Sequence, residues 1–417
     1  MNKVVLTYIT TLLFPFIGLC TSLYNWTKRY SKNVFWIFCA FSGLVFIYKP
    51  DIHIGIGNDS ERYADVLTFM HNNIHSFSAF KDTLYQGDSI DIYQPLITYL
   101  VSLYTDNAHW LFFIFALIYG YFYSRNIWFV LERLPVKFNR LYWILIAYFI
   151  LLCPIWNING VRMWTALQVF VYGALPYLMN NDRRKLIWCF ICPFIHFSFV
   201  MPLIVLVVHR FLPLKKSMGA YFVFFVITIF FNTVDIAAIR NIVEQIPFLE
   251  SRQSYLSDAY IEKVTETTYS AYVNVALFLQ KWCSYILIFL TYIYYKSSRQ
   301  IQTEEMSRVL SFTLLLYGVV NIISVMPTLG SRFLFLAQMF AFAAILFVIT
   351  KLQTIQVTRL PYRKLFNCVT LLLAFPTLFY FRIGFDMYGI MIFFGNFFTA
   401  PFIISDIPLI LFVKSIL

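Results

Sequence analysis

The chain is predicted to fold as an all-α, polytopic transmembrane helical bundle, and three observations carry that expectation. It has 417 residues, of which 60% are hydrophobic, 20% aromatic and only 12% charged, whereas a soluble globular domain carries roughly 25% charged residues. Apolar runs approaching the ~20 residues a spanning helix needs follow one another closely along the chain. The basic residues that give a net charge of +12 gather in short clusters between those runs. That is the pattern of cytoplasmic loops and not of a nucleic-acid surface. The shortage of charge runs the whole length, so residues 1–417 are read as one integral membrane domain with two polar inserts, 49–91 and 235–272.

Candidate spans are 4–24, 33–48, 108–124, 141–157, 161–180, 218–234, 273–295, 308–326, 332–350, 365–382 and 387–413. The first is too long for a typical signal segment and has no small-x-small cleavage site, so it is read as a retained span. No internal repeat is visible, which counts against the repeat-built transporter folds.

Orientation follows Lys and Arg. The clusters Lys28-Arg29-Lys32, Arg125 to Arg140, Arg183-Arg184-Lys185, Arg210 to Lys216, Lys296 to Arg308 and Lys351 to Lys364 go to the cytoplasm. Residues 49–91 hold three Lys or Arg against seven Asp or Glu, and residues 235–272 hold three against six, so both go outside. About eleven crossings then put the N-terminus outside and the C-terminus inside.

Two segments do not fit as crossings. Residues 91–105 must stay outside, and Gln94, Thr98, Ser102 and Thr105 recur there at helical steps. The expectation is an outer-side helix with that stripe facing a wet cavity. Residues 186–208 must enter and leave on the cytoplasmic side. Pro193 interrupts this run, which predicts a re-entrant hairpin with Pro193 to His196 at its apex. The simpler alternative is one ordinary span.

Seven cysteines all lie in apolar segments. Cys189 and Cys192 have Cys-x-x-Cys spacing but apolar flanks and no second ligand pair, so they are read as small buried hydrophobes.

Charged groups at the mouth of an apolar bundle are energetically unfavourable and therefore informative. Four groups stand out, all in the expected outer half. The stretch Gly55-Ile56-Gly57-Asn58-Asp59-Ser60-Glu61-Arg62-Tyr63 concentrates carboxylates, an arginine and a tyrosine at the membrane surface; the simpler reading is a loop with Asp59 capping a helix. Arg162 follows Asn157-Ile158-Asn159-Gly160-Val161 at the entrance of an apolar helix, where a guanidinium can grip phosphate bidentately or merely snorkel. His196, in Pro193-Phe194-Ile195-His196-Phe197-Ser198, can act as a base near neutral pH or be a satisfied structural histidine. Arg332, in Gly330-Ser331-Arg332, repeats the placement of Arg162, and two such arginines can hold one pyrophosphate.

Weaker signals are His71 and His75 at i, i+4 spacing, the acid-x-acid pattern Asp59-Ser60-Glu61, and Tyr255, Tyr260, Tyr269 and Tyr272. These would suit a metal, a divalent ion and sugar stacking respectively. The simpler readings are a surface helix and interfacial aromatics, and no metal is expected. No phosphate-binding loop, serine-hydrolase signature or dinucleotide fingerprint is present.

These residues resemble those of the EpsG-like and Wzy-like bacterial polysaccharide polymerases. That family shows Gly-x-Asp-x-x-x-Tyr after its second span, here Gly57-Asn58-Asp59-Ser60-Glu61-Arg62-Tyr63. A Glu-Pro-like element follows about thirty residues later, here Tyr93-Gln94-Pro95-Leu96. Arg162 before Ala166, His196-Phe197-Ser198 after the basic loop Arg183-Arg184-Lys185, and Arg332 at a late helix start match in order. Two departures are that only Lys49 stands for the arginine usual before the first motif, and that Gln94 replaces an acid.

The resemblance implies a GT-C-like bundle in the bacterial inner membrane. It implies joining of oligosaccharide repeat units carried on undecaprenyl pyrophosphate, at the outer face, without cofactor. Arg162 and Arg332 would bind pyrophosphate, and Asp59 or His196 would activate the acceptor. Glu61, Tyr63, Arg62 and Gln94 would position it. Implied partners are the lipid-linked oligosaccharide, membrane lipid, a chain-length regulator and other assembly proteins. A lipid-linked oligosaccharide flippase and a membrane O-acyltransferase built on His196 stay open as other classes.

Overall fold

The computed structural model describes residues 2–49, 59–86, 91–135, 139–212, 218–231, 270–324, 326–357, 360–402 and 406–416. Gly55–Asn58 and Tyr255, Tyr260 and Tyr269 of the second insert lie outside them. The described residues are helical, with one isolated antiparallel bridge between Phe46 and Tyr388. Five stretches among them are long and apolar enough to cross a membrane: Tyr142–Asn180, Ala271–Ser297, Glu304–Ile323, Leu329–Thr354 and Arg363–Met387.

The centre is built on α3 (Ser31–Leu44) and α7 (Ala108–Leu131), which approach backbone to backbone. Gly43 lies against the Phe112 carbonyl and Gly120 against Cys39, so any side chain at either glycine would force the helices apart. Asn107 caps α7, its Oδ1 accepting from the His109 N–H at 2.9 Å.

The long run Tyr142–Asn180 is folded back on itself. α8 (Tyr142–Leu151) ends at Pro154, a 3-10 turn spans Ile155–Gly160, and α9 (Val161–Asn180) returns beside α7. Buried amides fix the register: Gln168 Nε2 donates to the Cys153 carbonyl at 3.2 Å, and Asn126 Nδ2 donates to Gln168 Oε1 at 2.7 Å. Tyr119 Oη donates to the same Cys153 carbonyl at 2.6 Å. Pairing these groups internally is what permits them in an apolar bundle.

α10 (Leu186–Ile195) then runs back along α9, with Cys189 Sγ 3.7 Å from the Phe170 carbonyl and Cys192 Sγ 3.4 Å from the Ala166 carbonyl. Both cysteines are fully buried, and Gly173 leaves room for Cys189. The helix stops at His196, which is extended (φ −151°, ψ 114°). α11 (Val200–Phe211) returns toward the other end of α9. There His209 Nε2 meets Ser311 Oγ at 2.8 Å, and Arg308 Nε donates to the Leu178 carbonyl at 2.8 Å. The expected turn-back over 186–208 is therefore formed, but its break is at His196. Pro193 lies inside α10.

The remaining helices are α12 (Met218–Ile229), α13 (Ala271–Ser297), α14 (Glu304–Ile323), α15 (Pro327–Thr354), α16 (Arg363–Leu372) and α17 (Ala374–Met387). Beneath the starts of α13 and α15, Gln280 Nε2 donates to Gln338 Oε1 at 2.8 Å, and Tyr380 Oη donates to Gln280 Oε1.

Runs 4–24 and 387–413, each expected as a single span, are broken most sharply. Residues 4–24 form α1 (Lys3–Leu13) and α2 (Pro15–Tyr24), bent at Phe14–Pro15 so sharply that Gly18 touches Thr11. Proline at the second helix's first position explains the break. Residues 387–413 break into α18 (Met391–Phe394), a 3-10 turn at Ala400–Phe402 and α19 (Leu409–Ile416). Gly389, Gly395, Pro401 and Pro408 interrupt that run, and Leu409 N–H returns to the Tyr388 carbonyl at 2.8 Å.

Candidate functional site

The described part of the first insert and the segment after it lie over one end of the bundle as α4 (Asp59–Asn73), α5 (Phe77–Gln86) and α6 (Tyr93–Ser102). Asp59 and Glu61 sit in the first turn of α4, where carboxylates oppose the positive helix end. Two bonds seat that turn: Ser60 Oγ donates to the Tyr48 carbonyl at 2.9 Å, and Ser60 N–H donates to Asn159 Oδ1 at 3.2 Å. The start of α4 is thereby held against the turn that delivers Arg162.

Arg162, in the first turn of α9, is the centre of this end. Its Nη1 lies 3.2 Å from Asp91 Oδ2, and the Asp91 side chain is 1% exposed against 24% for Arg162. The other oxygen, Asp91 Oδ1, accepts from the Phe197 backbone N–H at 2.8 Å. Helix α10 would have continued by sending that N–H to the Pro193 carbonyl, so Asp91 supplies the competing acceptor that helps end the helix at His196. A second tie joins the same two segments, the Ile92 N–H donating to the Phe194 carbonyl at 3.1 Å. Within the turn, Ser198 Oγ and His196 Nδ1 share a hydrogen bond of 2.7 Å.

The Tyr63 phenol lies beside the Arg162 guanidinium, with its ring against Phe115 at 6.1 Å. Burial pushes that phenol above its ordinary range, the Asp59 charge adds to the effect, and Arg162 opposes it. The phenol therefore stays protonated as a neutral neighbour of the cation.

Arg332 is exposed, one turn and a half into α15. The residue after it, Phe333, packs on Phe199 with ring centroids 5.6 Å apart, and Phe199 lies 6.4 Å from the His196 ring. The starts of α9 and α15 thus meet the same His196–Phe199 turn, one through Asp91 and the other through Phe333.

The other expected site residues fall nearby but differ in access. Asp59 pairs with Arg62 at 2.7 Å, and Glu61 with Lys49 at 3.8 Å, so the two acids of the acid-x-acid pattern have different partners. Among the described residues no three His, Cys, Asp or Glu side chains come together to hold a metal. His71 Nδ1 instead meets the Ser102 carbonyl at 2.6 Å. The polar stripe of α6 does not face a wet cavity. Gln94, Thr98 and Ser102 are buried, and Gln94 Nε2 donates to Thr98 Oγ1 at 3.0 Å. Ser102 Oγ likewise bonds within the helix, to the Tyr99 carbonyl at 2.8 Å. Asp91 is the residue of this candidate site that sequence reasoning missed. It is an acid directly before the apolar start of α6, three residues ahead of the glutamine that replaces the family's acid.

A search of curated proteins and a search of solved structures each return no match. The model of the EpsG family matches residues 34–403, a stretch that includes every residue of the site just described. By that match the chain belongs to the EpsG family, the Wzy-like polysaccharide polymerase-related family.

Proposed function

We propose that the protein joins polyprenyl-pyrophosphate-linked oligosaccharide units by glycosyl transfer, at the end of the bundle where α9 and α15 begin. By the distribution of Lys and Arg this end faces away from the cytoplasm. The acceptor hydroxyl oxygen forms a bond to the anomeric carbon of the donor sugar. The bond from that carbon to the pyrophosphate oxygen breaks, and the polyprenyl pyrophosphate leaves with the electron pair. Arg162 and Arg332 stabilise the charge that develops on the leaving group. The acceptor's proton passes to His196.

The observation that carries this reading is the double use of Asp91. One carboxylate sets a guanidinium and the turn bearing a titratable imidazole side by side. It favours His196 over Asp59 as the base, because Asp59 is engaged by Arg62. In this reading the buried Tyr63 forms the floor of the site and Glu61 and Arg62 line its approach, while Gln94 gives its amide to Thr98. Bonding of Ser198 to Nδ1 fixes the imidazole plane.

The test is purified protein in lipid vesicles supplied with a polyprenyl-pyrophosphate-linked repeat unit. A ladder of products differing by one unit, with release of polyprenyl pyrophosphate, is expected. Movement of the unit across the bilayer with no covalent product would replace this reading by a flippase.

A further inference from the structure

Another arginine–aspartate pair lies outside the site described. On α17, Arg382 Nη1 is 3.1 Å from Asp386 Oδ2, one helical turn on; the aspartate side chain is 4% exposed and the arginine 39%. The combination repeats Arg162 and Asp91: a nearly buried carboxylate holding a part-exposed guanidinium by one donor. The two pairs share one end of the bundle. Segment 46–48 is tied to α17 by the Ile47 N–H donating to the Met387 carbonyl at 3.0 Å, and to α4 through the Tyr48 carbonyl and Ser60. The turn before Arg162 packs on α17 as well, with Trp156 against Gly384.

Arg382 differs in what it faces. Phe375 and Leu378, seven and four residues earlier, are both exposed, so they and Arg382 form one face of α17. On the neighbouring α13, the Tyr272 ring lies 6.0 Å from the guanidinium. This is an apolar face of the kind that meets lipid chains, with a cation near its end. An arginine there ordinarily snorkels to water. Here Asp386 fixes it instead, and among the described residues its remaining donors make no further hydrogen bond.

Building on the polymerase reading, we propose that Arg382 holds the phosphate of a second polyprenyl-linked molecule, the acceptor, with its chain along the Phe375 and Leu378 face. The reaction needs two lipid-linked units in the membrane at once. One loses its pyrophosphate and the other keeps it. No bond is made or broken at Arg382. Its fixed charge and planar fork suit a diphosphate that stays attached.

Native mass spectrometry in nanodiscs, with undecaprenyl pyrophosphate as probe, tests this directly. The unaltered protein should bind two molecules. Arg382→Gln combined with Asp386→Asn removes both charges, so it leaves no orphaned carboxylate, and should bind one. Arg382→Lys keeps the pair but loses the fork, and should weaken the second site about tenfold. Two molecules bound by the double variant would overturn the proposal. So would displacement of the second molecule by equimolar phosphatidylglycerol, which would make this a bilayer-lipid contact. Failure of the polymerase reading looks different: Arg162→Gln would still bind two while the double variant binds one.

Discussion

Asp91 and Arg162 are 71 positions apart in sequence and 3.2 Å apart in space, and the second oxygen of the same carboxylate holds the backbone of Phe197 at 2.8 Å. Three segments therefore meet on one side chain: the entry to α6, the start of α9 and the turn after His196. A buried carboxylate is tolerated only when its partners satisfy it, and satisfying it fixes where they lie.

Removing that carboxylate should loosen the whole end of the bundle. Asp91→Ala removes the carboxylate that pairs with the guanidinium and accepts from the Phe197 N–H, and breaking a buried pair costs about 3–5 kcal/mol. Asp91→Asn keeps an acceptor for the N–H and loses only the charge. Thermal unfolding in detergent should rank the unaltered protein first, the asparagine variant second and the alanine variant last. An alanine variant as stable as the original would mean that the contact does not organise the fold.

Arg162→Lys separates charge from shape. Lysine keeps the cation but cannot bond Asp91 and a phosphate from one planar group. A lost charge-assisted hydrogen bond is worth about 1.5–3 kcal/mol, so turnover of a lipid-linked unit should fall roughly 10- to 100-fold. The length ladder, quantified over time, is the measurement. Unchanged turnover would take Arg162 out of the chemistry.

Ser198 and His196 give a paired prediction. If the imidazole takes the acceptor's proton, His196→Gln should lower the rate about 10²- to 10⁴-fold, the usual range for a general base. It should also abolish the rise in rate with pH that deprotonation of the ring produces. Ser198→Ala removes the hydroxyl from Nδ1, and should shift that rise along the pH axis with a smaller loss of rate. Identical pH–rate profiles in the serine variant and the unaltered protein would show that Ser198 does not tune the ring.

How much of this was readable from the residues depended on whether the signal was local. Arg162, Arg332 and His196 were visible because a polar group at the edge of an apolar run is unfavourable and so conspicuous. Asp91 was not, because it counted as one acid among seven in a polar insert and its partner lies far along the chain. The bend at Pro15 and the breakup of 387–413 were missed for a different reason. Apolar composition reports that a segment avoids water but not whether its helix is continuous, and the proline and glycines that decide this were outweighed by their neighbours. The turn-back of 186–208 was legible from charge alone, since basic residues stand at both of its ends.

That turn-back yields a prediction about sidedness. Arg184, before α10, and Arg210, at the end of α11, lie toward the end of the bundle where α9 stops, while Ser198 lies beside the start of α15. In a variant with its seven native cysteines replaced, single cysteines at 184 and 210 should react with a membrane-impermeant maleimide from one face of sealed vesicles. A cysteine at 198 should react only from the other face. The positive-inside rule assigns 184 and 210 to the cytoplasm. Labelling of 184 and 210 from opposite faces would show that the segment crosses the membrane once. Labelling of both from the outside would keep the hairpin but invert the protein, and would put the Arg162 site on the cytoplasmic face, away from the proposed site of polymerisation.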